Sequence, residues 1–199
     1  MQSIYRLWLA AMLLVAVPAQ AQRILLGLKG GATIANGIGA DAKNSSLRFG
    51  AHGGGLLRIK LTKHLAVQGE ALYTQRGDNS SAYGPSIQHR LDYVSFPVLA
   101  QYHWDDIFFE AGPYFSQLRS VTPVVAQRTP VGTAAFRKQD AGFVVGLGYQ
   151  DSTGFSVGWR YNGGLNNVFR RVDIDGSSQV QLRNSSVEFY LAYLFTRVR

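Results

Sequence analysis

The stretch YVSFPVLAQYHWDDIFFEAGPYF, residues 93–115, decides the fold. In an extended chain successive side chains point to opposite faces. Val94, Phe96, Val98, Ala100, Tyr102 and Trp104 therefore share one face, and Ser95, Gln101 and His103 take the other. After Asp105 and Asp106 the pattern repeats, with Ile107, Phe109, Ala111, Pro113 and Phe115 on one face and Glu110 and Ser116 opposite. A two-residue loop at Asp105-Asp106 makes the pair a hairpin. Trp104 then faces Ile107, Val98 faces Pro113 and Pro97 faces Tyr114. What so apolar and aromatic a face touches is the question the rest of the chain must answer.

Period-two alternation recurs in about eight segments. Besides the two above, these are residues 24–34, 49–59, 65–76, 141–149, 155–161 and 187–195. The connections after the second, fourth and sixth are tight (TKH, DD, DST). Those after the first, third, fifth and seventh are long, roughly 36–46, 77–90, 118–139 and 162–183, lengths unusual inside a compact soluble domain. Short turns at one end and long loops at the other describe a transmembrane β-barrel with an even strand number. The expected fold is all-β, an eight-stranded antiparallel transmembrane barrel with tight periplasmic turns, long extracellular loops and both mature termini in the periplasm.

A soluble eight-stranded barrel also alternates, with its apolar face inward. The aromatic residues decide between the two. Tyr73, Tyr102, Trp104, Tyr149, Phe155, Trp159, Tyr161, Tyr193 and Phe195 all lie on the apolar face, mostly near segment ends, where amphipathic rings favour the lipid-headgroup boundary. The opposite face carries glycines and charges, which lipid tolerates badly. The aromatic face is therefore expected to meet lipid.

Composition agrees. The 199 residues are 46% hydrophobic and only 16% charged, low for a soluble domain, and there is no cysteine for a disulfide framework or thiolate metal site. At the N-terminus, Arg6 precedes the apolar run LWLAAMLLVAV (7–17), too short to span a bilayer, and Ala19 and Ala21 supply the A-x-A spacing of a signal-peptidase site. The expected organisation is a signal peptide over 1–21 and an outer-membrane barrel over 22–199. Removing Arg6 with the leader leaves 19 Lys+Arg against 12 Asp+Glu, a net charge of +7. The basic residues Arg119, Arg128, Arg137, Lys138, Arg170 and Arg171 are scattered through several connections, without the stripe or module that nucleic-acid binding requires. Basic loops on an exported protein point instead to lipid headgroup phosphates or acidic glycans.

The inward face carries Glu70, Glu110 and Glu188, with Arg58, Arg76 and Arg160 as counter-charges. The TKH turn sets Gln68 opposite Arg58, with Glu70 diagonal to it. A barrel of eight strands is just wide enough for side chains to fill it, so these residues read as a structural polar network rather than a conduit or a catalytic pair. Pro97 and Pro113 each remove a ladder donor from one patch of one strand pair, which a β-bulge would accommodate; a lateral weak point for lipid or a partner strand is the functional alternative. His64 and His103 fall at the tight turns and His52 in the lumen. His89, with Ser86 and Asp92 at three-residue spacing, lies in a long connection; a triad is defined by geometry rather than interval, and a solvated loop is the plainer reading. DIDG at 173–176 resembles the opening of a calcium loop but has Asn184 at the twelfth position, so a turn is expected and no metal. No cofactor is implied.

Six stretches taken together resemble the PorT-like outer-membrane β-barrel family of the Bacteroidota: LGLKGGATIANG (26–37), LAVQGEALYTQRG (65–77), LDYVSFPVLAQYHW (91–104), FFEAGPYFSQL (108–118), DAGFVVGLGYQ (140–150) and RYNGGLNNV (160–168). The resemblance covers nearly all of the mature chain. It implies an eight-stranded outer-membrane barrel, some of whose relatives assist protein secretion across that membrane. Such barrels often end on an aromatic; here Phe195 is followed by TRVR. The expected function is a non-enzymatic barrel whose extracellular loops bind lipopolysaccharide or a partner protein of the envelope or secretion machinery. The alternatives are a narrow channel for small solutes and, more distantly, a lipid-modifying enzyme. The sequence specifies no oligomeric state.

Overall fold

A computed structural model describes residues 23–39, 47–78, 89–123, 136–168 and 183–195. Eight antiparallel strands follow one another around a closed barrel. They are β1 (Arg23–Ile38), β2 (Arg48–Lys60), β3 (Leu65–Asp78), β4 (His89–Trp104), β5 (Ile107–Pro123), β6 (Gln139–Gln150), β7 (Phe155–Asn167) and β8 (Arg183–Phe195). β8 returns to β1, from Leu26↔Phe195 to Ile38↔Arg183, so the sheet has no free edge.

The register is the one expected at the opening hairpin, where Trp104 pairs with Ile107 and Pro97 with Tyr114. At the long-loop end the strands run further than the alternation does. β4 begins at His89 and β5 continues to Pro123, so the long connections are shorter than expected. The reason is physical: hydrophobic alternation reports where one face meets an apolar phase, whereas the hydrogen-bond ladder continues beyond it.

The two prolines depart from expectation. The β3–β4 ladder is broken between Gly69↔Val98 and Leu72↔Ser95, beside Pro97. The β4–β5 ladder is broken between Pro97↔Tyr114 and Ala100↔Ala111, beside Pro113. The gaps thus lie on both sides of β4 rather than in one strand pair. The register is the same above and below each gap, so neither proline sits in a bulge: losing an N–H deletes a bond without inserting a residue. Register shifts occur instead at Asp92/Tyr93, between β4 and β5, and at Gly163/Asn167, between β7 and β8. Both lie toward the long-loop end, where bulges at barrel rims are common.

The partition of side chains is inverted relative to a water-soluble protein. Arg160 is 1% exposed and Glu188 fully buried, while Leu191 and Val98 are more than half exposed. Charges point inward and large apolar groups outward, which answers the question posed by residues 93–115. Where strands press together inside the wall, glycine is required: a Cβ at Gly112 would lie 2.0 Å from the Val98 carbonyl oxygen. At the outward-facing Gly69 it would meet nothing within 4 Å.

Candidate functional site

The lumen is filled by an ionic network assembled from six strands. Lys29 on β1 lies 2.9 Å from Glu70 on β3. Arg160 on β7 donates through Nη1 to Glu70 (2.8 Å) and through Nε to Glu188 on β8 (2.7 Å). Arg76 on β3 lies 3.9 Å from Glu188 and 3.5 Å from Asp140 on β6. Asp140 Oδ2 also accepts from Tyr114 and Asn184. Toward the short-turn end, Arg58 donates to Gln68 (2.8 Å) and to Gln150, while Gln68 passes a hydrogen bond to Glu70 (2.7 Å). Lys29 Nζ sits 3.5 Å above the Tyr190 ring, a cation–π contact in a desolvated setting.

Charge balances among these buried residues. Lys29, Arg58, Arg76 and Arg160 face Glu70, Glu110, Asp140 and Glu188. Buried charges persist when paired and hydrogen-bonded: Lys29, Arg76 and Arg160 are ion-paired with Glu70, Asp140 and Glu188, while Arg58 is held by the neutral amides of Gln68 and Gln150. Of the six residues singled out from sequence, five join this chain of contacts. Glu110 differs: its carboxylate accepts from Gln101 (3.1 Å) and Tyr190 (3.0 Å) rather than from an arginine. Two charged members escaped the sequence reading. Lys29 lies in a glycine-rich run that read simply as strand, and Asp140 alternates inward at the start of β6, where the pattern gave it no partner. His52 faces the lumen as expected, with Nδ1 3.0 Å from Thr33 Oγ1 and Nε2 3.9 Å from Glu188.

Apolar clusters bracket the network. At the long-loop end Leu91, Tyr93, Phe136 and Val168 pack together with Leu118 and Val121. At the short-turn end Leu56, Phe108, Tyr190, Ala192 and Leu194 pack with Leu25.

On the outside, Tyr102, Trp104, Tyr149, Phe155, Tyr193 and Phe195 are exposed close to the short-turn end, and Tyr73 is exposed toward the opposite end. Tyr161 is half-buried and accepts a hydrogen bond from Ser185. Trp159 pairs with Leu147 and Phe189 within the wall rather than at a strand end.

Of the three residues at triad-like spacing, only Asp92 has a described side chain. Asp92 is buried at the β4–β5 bulge, accepting from Ser120 (2.7 Å) and paired with Arg90 at 3.2 Å. His89 pairs through its backbone with Asp78 and Pro123, and Ser86 lies outside the described residues. The DIDG stretch, the 1–21 segment and TRVR also lie outside them.

A closed eight-stranded barrel with an apolar outer wall and a polar, filled interior defines a transmembrane outer-membrane barrel. The model of the outer membrane protein beta-barrel domain matches residues 19–170, and the chain belongs to that family. Its place is the outer membrane. Among solved structures the chain is similar to Neisserial surface protein A, at 14% identity over 85% of this chain and 97% of that one, with a TM-score of 0.55. It also matches Ail, the attachment invasion locus protein of Yersinia pestis, solved with the heparin analogue sucrose octasulfate (12% identity, 87% and 99% coverage, TM-score 0.46). A third match is outer membrane protein W of E. coli (17% identity, 86% and 97% coverage, TM-score 0.43). The likeness to Neisserial surface protein A is one of fold. No curated protein matches the chain.

Proposed function

We propose that the protein is a non-enzymatic outer-membrane barrel that works through its extracellular rim, where basic side chains bind the phosphates of lipopolysaccharide. In this reading residues 1–21 are a cleaved signal peptide, the mature barrel begins at Gln22, and the short turns face the periplasm. The finer placement among PorT-like barrels of the Bacteroidota belongs to the same proposal.

The observation that carries it is the charge among the described residues, basic at the long-loop rim and mixed at the short-turn end. Arg119, Arg137, Lys138 and Arg183 are exposed at the long-loop end, where Asp92 and Asp140 are buried and paired with Arg90 and Arg76. At the short-turn end Lys60 and Lys63 share a cleft with Asp105, Asp106 and Asp151. A cationic rim is drawn to anionic headgroups by a field that salt screens over about 8–10 Å. The balanced network between two apolar clusters supports the companion inference that the lumen does not conduct, leaving the rim as the working surface.

The test is lipopolysaccharide binding to the mature barrel in nanodiscs. Binding that weakens with added salt and falls when Arg137 and Lys138 are both replaced by glutamate supports the reading. Binding indifferent to both changes removes lipopolysaccharide as the ligand and turns the search to a protein partner.

A further inference from the structure

At the short-turn end a cleft of about 180 Å³ opens between three turns. Lys60, at the end of β2, and Lys63, from the β2–β3 connection, line it. Asp105, Asp106 and Asp151 line it too, from the β4–β5 and β6–β7 connections, as does His103 from the end of β4. We propose that this cleft binds a small zwitterionic peptide, its carboxylate toward the lysines and its ammonium toward the aspartates. With the short turns in the periplasm, as proposed above, the polymer with that chemistry is the stem peptide of the cell wall, which carries carboxylates and a free amine on one short chain.

Three observations favour a built site over a solvated rim. First, the turns are fixed before any ligand arrives. Thr62 Oγ1 accepts from the backbone N–H groups of His64 and Leu65, and the His64 ring packs on Tyr102 with Nδ1 3.1 Å from the His103 carbonyl oxygen. Asp151 Oδ1 accepts from Thr153 N, Thr153 Oγ1 and Phe155 N, and the left-handed Gly154 (φ 96°) accepts at its carbonyl from Leu194 N. Gln150 N donates to the Asp106 carbonyl oxygen. Groups held in this way lose little freedom on binding. Second, Thr62, Gln150 and Ser152 line the cleft beside the charged residues, so a ligand's amide groups would meet polar neighbours there. Third, the lining carries both signs of charge. A purely anionic ligand would meet three carboxylates and a purely cationic one two ammonium groups, whereas a zwitterion is complemented in both charges.

The test uses the mature barrel in nanodiscs with the tripeptide L-alanyl-γ-D-glutamyl-meso-diaminopimelate as probe, and the same peptide amidated at its carboxylates or acetylated at its amines as controls. Amide shift mapping on the unaltered protein is expected to place saturable perturbations around Lys63, His103, Asp106 and Asp151, and both controls are expected to bind more weakly. Lys63→Glu and Asp106→Lys, each checked for folding by heat-modifiable gel mobility, are expected to weaken binding by about tenfold, the equivalent of about 1.4 kcal/mol. Lys138→Glu at the opposite end should leave it unchanged. Absence of saturation at millimolar tripeptide, perturbations away from the cleft, or a control that binds as well as the parent would overturn the proposal. Lipopolysaccharide binding measured on Lys63→Glu separates the two ends, so either assignment can fail alone.

Discussion

Arg160 ties Glu70 to Glu188 across the barrel interior, with Nη1 2.8 Å from one carboxylate on β3 and Nε 2.7 Å from the other on β8. All three side chains are buried. Glu188 is the ladder partner of Arg160, whereas Glu70 lies on β3, which shares no ladder with β7 or β8, so the arginine cross-links distant parts of the wall. Removing it strands two carboxylates without their shared partner, and breaking a buried pair from one side costs about 3–5 kcal/mol. Arg160→Ala should lower the unfolding free energy by about that much, measured by urea titration in lipid vesicles. A loss below about 1 kcal/mol, the scale of an exposed pair, would mean that water reaches and screens the network.

The outward wall should show a depth dependence. Leu191 lies midway along the outward-alternating run 187–195 of β8 and is more than half exposed, whereas Phe195 is the last residue of the strand. Arginine at the bilayer midplane costs about 2–4 kcal/mol and near the boundary about 0–1. Leu191→Arg should therefore destabilise the barrel in vesicles far more than Phe195→Arg. Equal effects would contradict the placement of this wall in lipid.

Two glycines separate packing from exposure. A Cβ at Gly112 would lie 2.0 Å from the Val98 carbonyl oxygen, a backbone atom that cannot step aside, while one at Gly69 meets open space. Gly112→Ala should cost about 1–3 kcal/mol or more, the usual penalty of overpacking. Gly69→Ala should stay within about 0.5 kcal/mol. Both are read from the same unfolding titration, and the reverse order would show that β4 and β5 approach less closely than described.

The β6–β7 turn should respond to acid. The side-chain hydrogen bond from Thr153, followed by backbone bonds from Phe155, Thr153 and Gly154, holds the Asp151 carboxyl below the usual carboxylate range. A carboxylate with a depressed folded value stabilises above its unfolded value, near 3.9, and the contribution is lost as pH falls through that range toward the folded value. Thr153→Ala should move the Asp151 titration upward, observed by side-chain carboxyl NMR. An unmoved titration would assign the shift to the backbone donors alone.

Much of this was readable from alternation because a barrel wall has only two faces. Once the aromatic residues are assigned to the outside, every second residue is inside, and Arg58 opposite Gln68 follows from the turn length alone. What stayed hidden depended on distance across the lumen. Asp140 and Arg76 are brought together from non-adjacent strands, and Lys29 meets Glu70 past an intervening strand. No period within one strand encodes such meetings. The bulges were misplaced for a related reason: the prolines advertise lost donors, whereas the inserted residues around Arg119 and Leu165 carry no local mark.

A barrel closed to solutes, with its work done at its ends, is tested most directly by single-channel recording of residues 22–199 in a planar bilayer. A barrel shown to be folded should give no steady unitary current, because paired charges and two apolar clusters occupy the path. Steady, reproducible conductance steps that change with Glu110→Ala would contradict it and make solute passage the function.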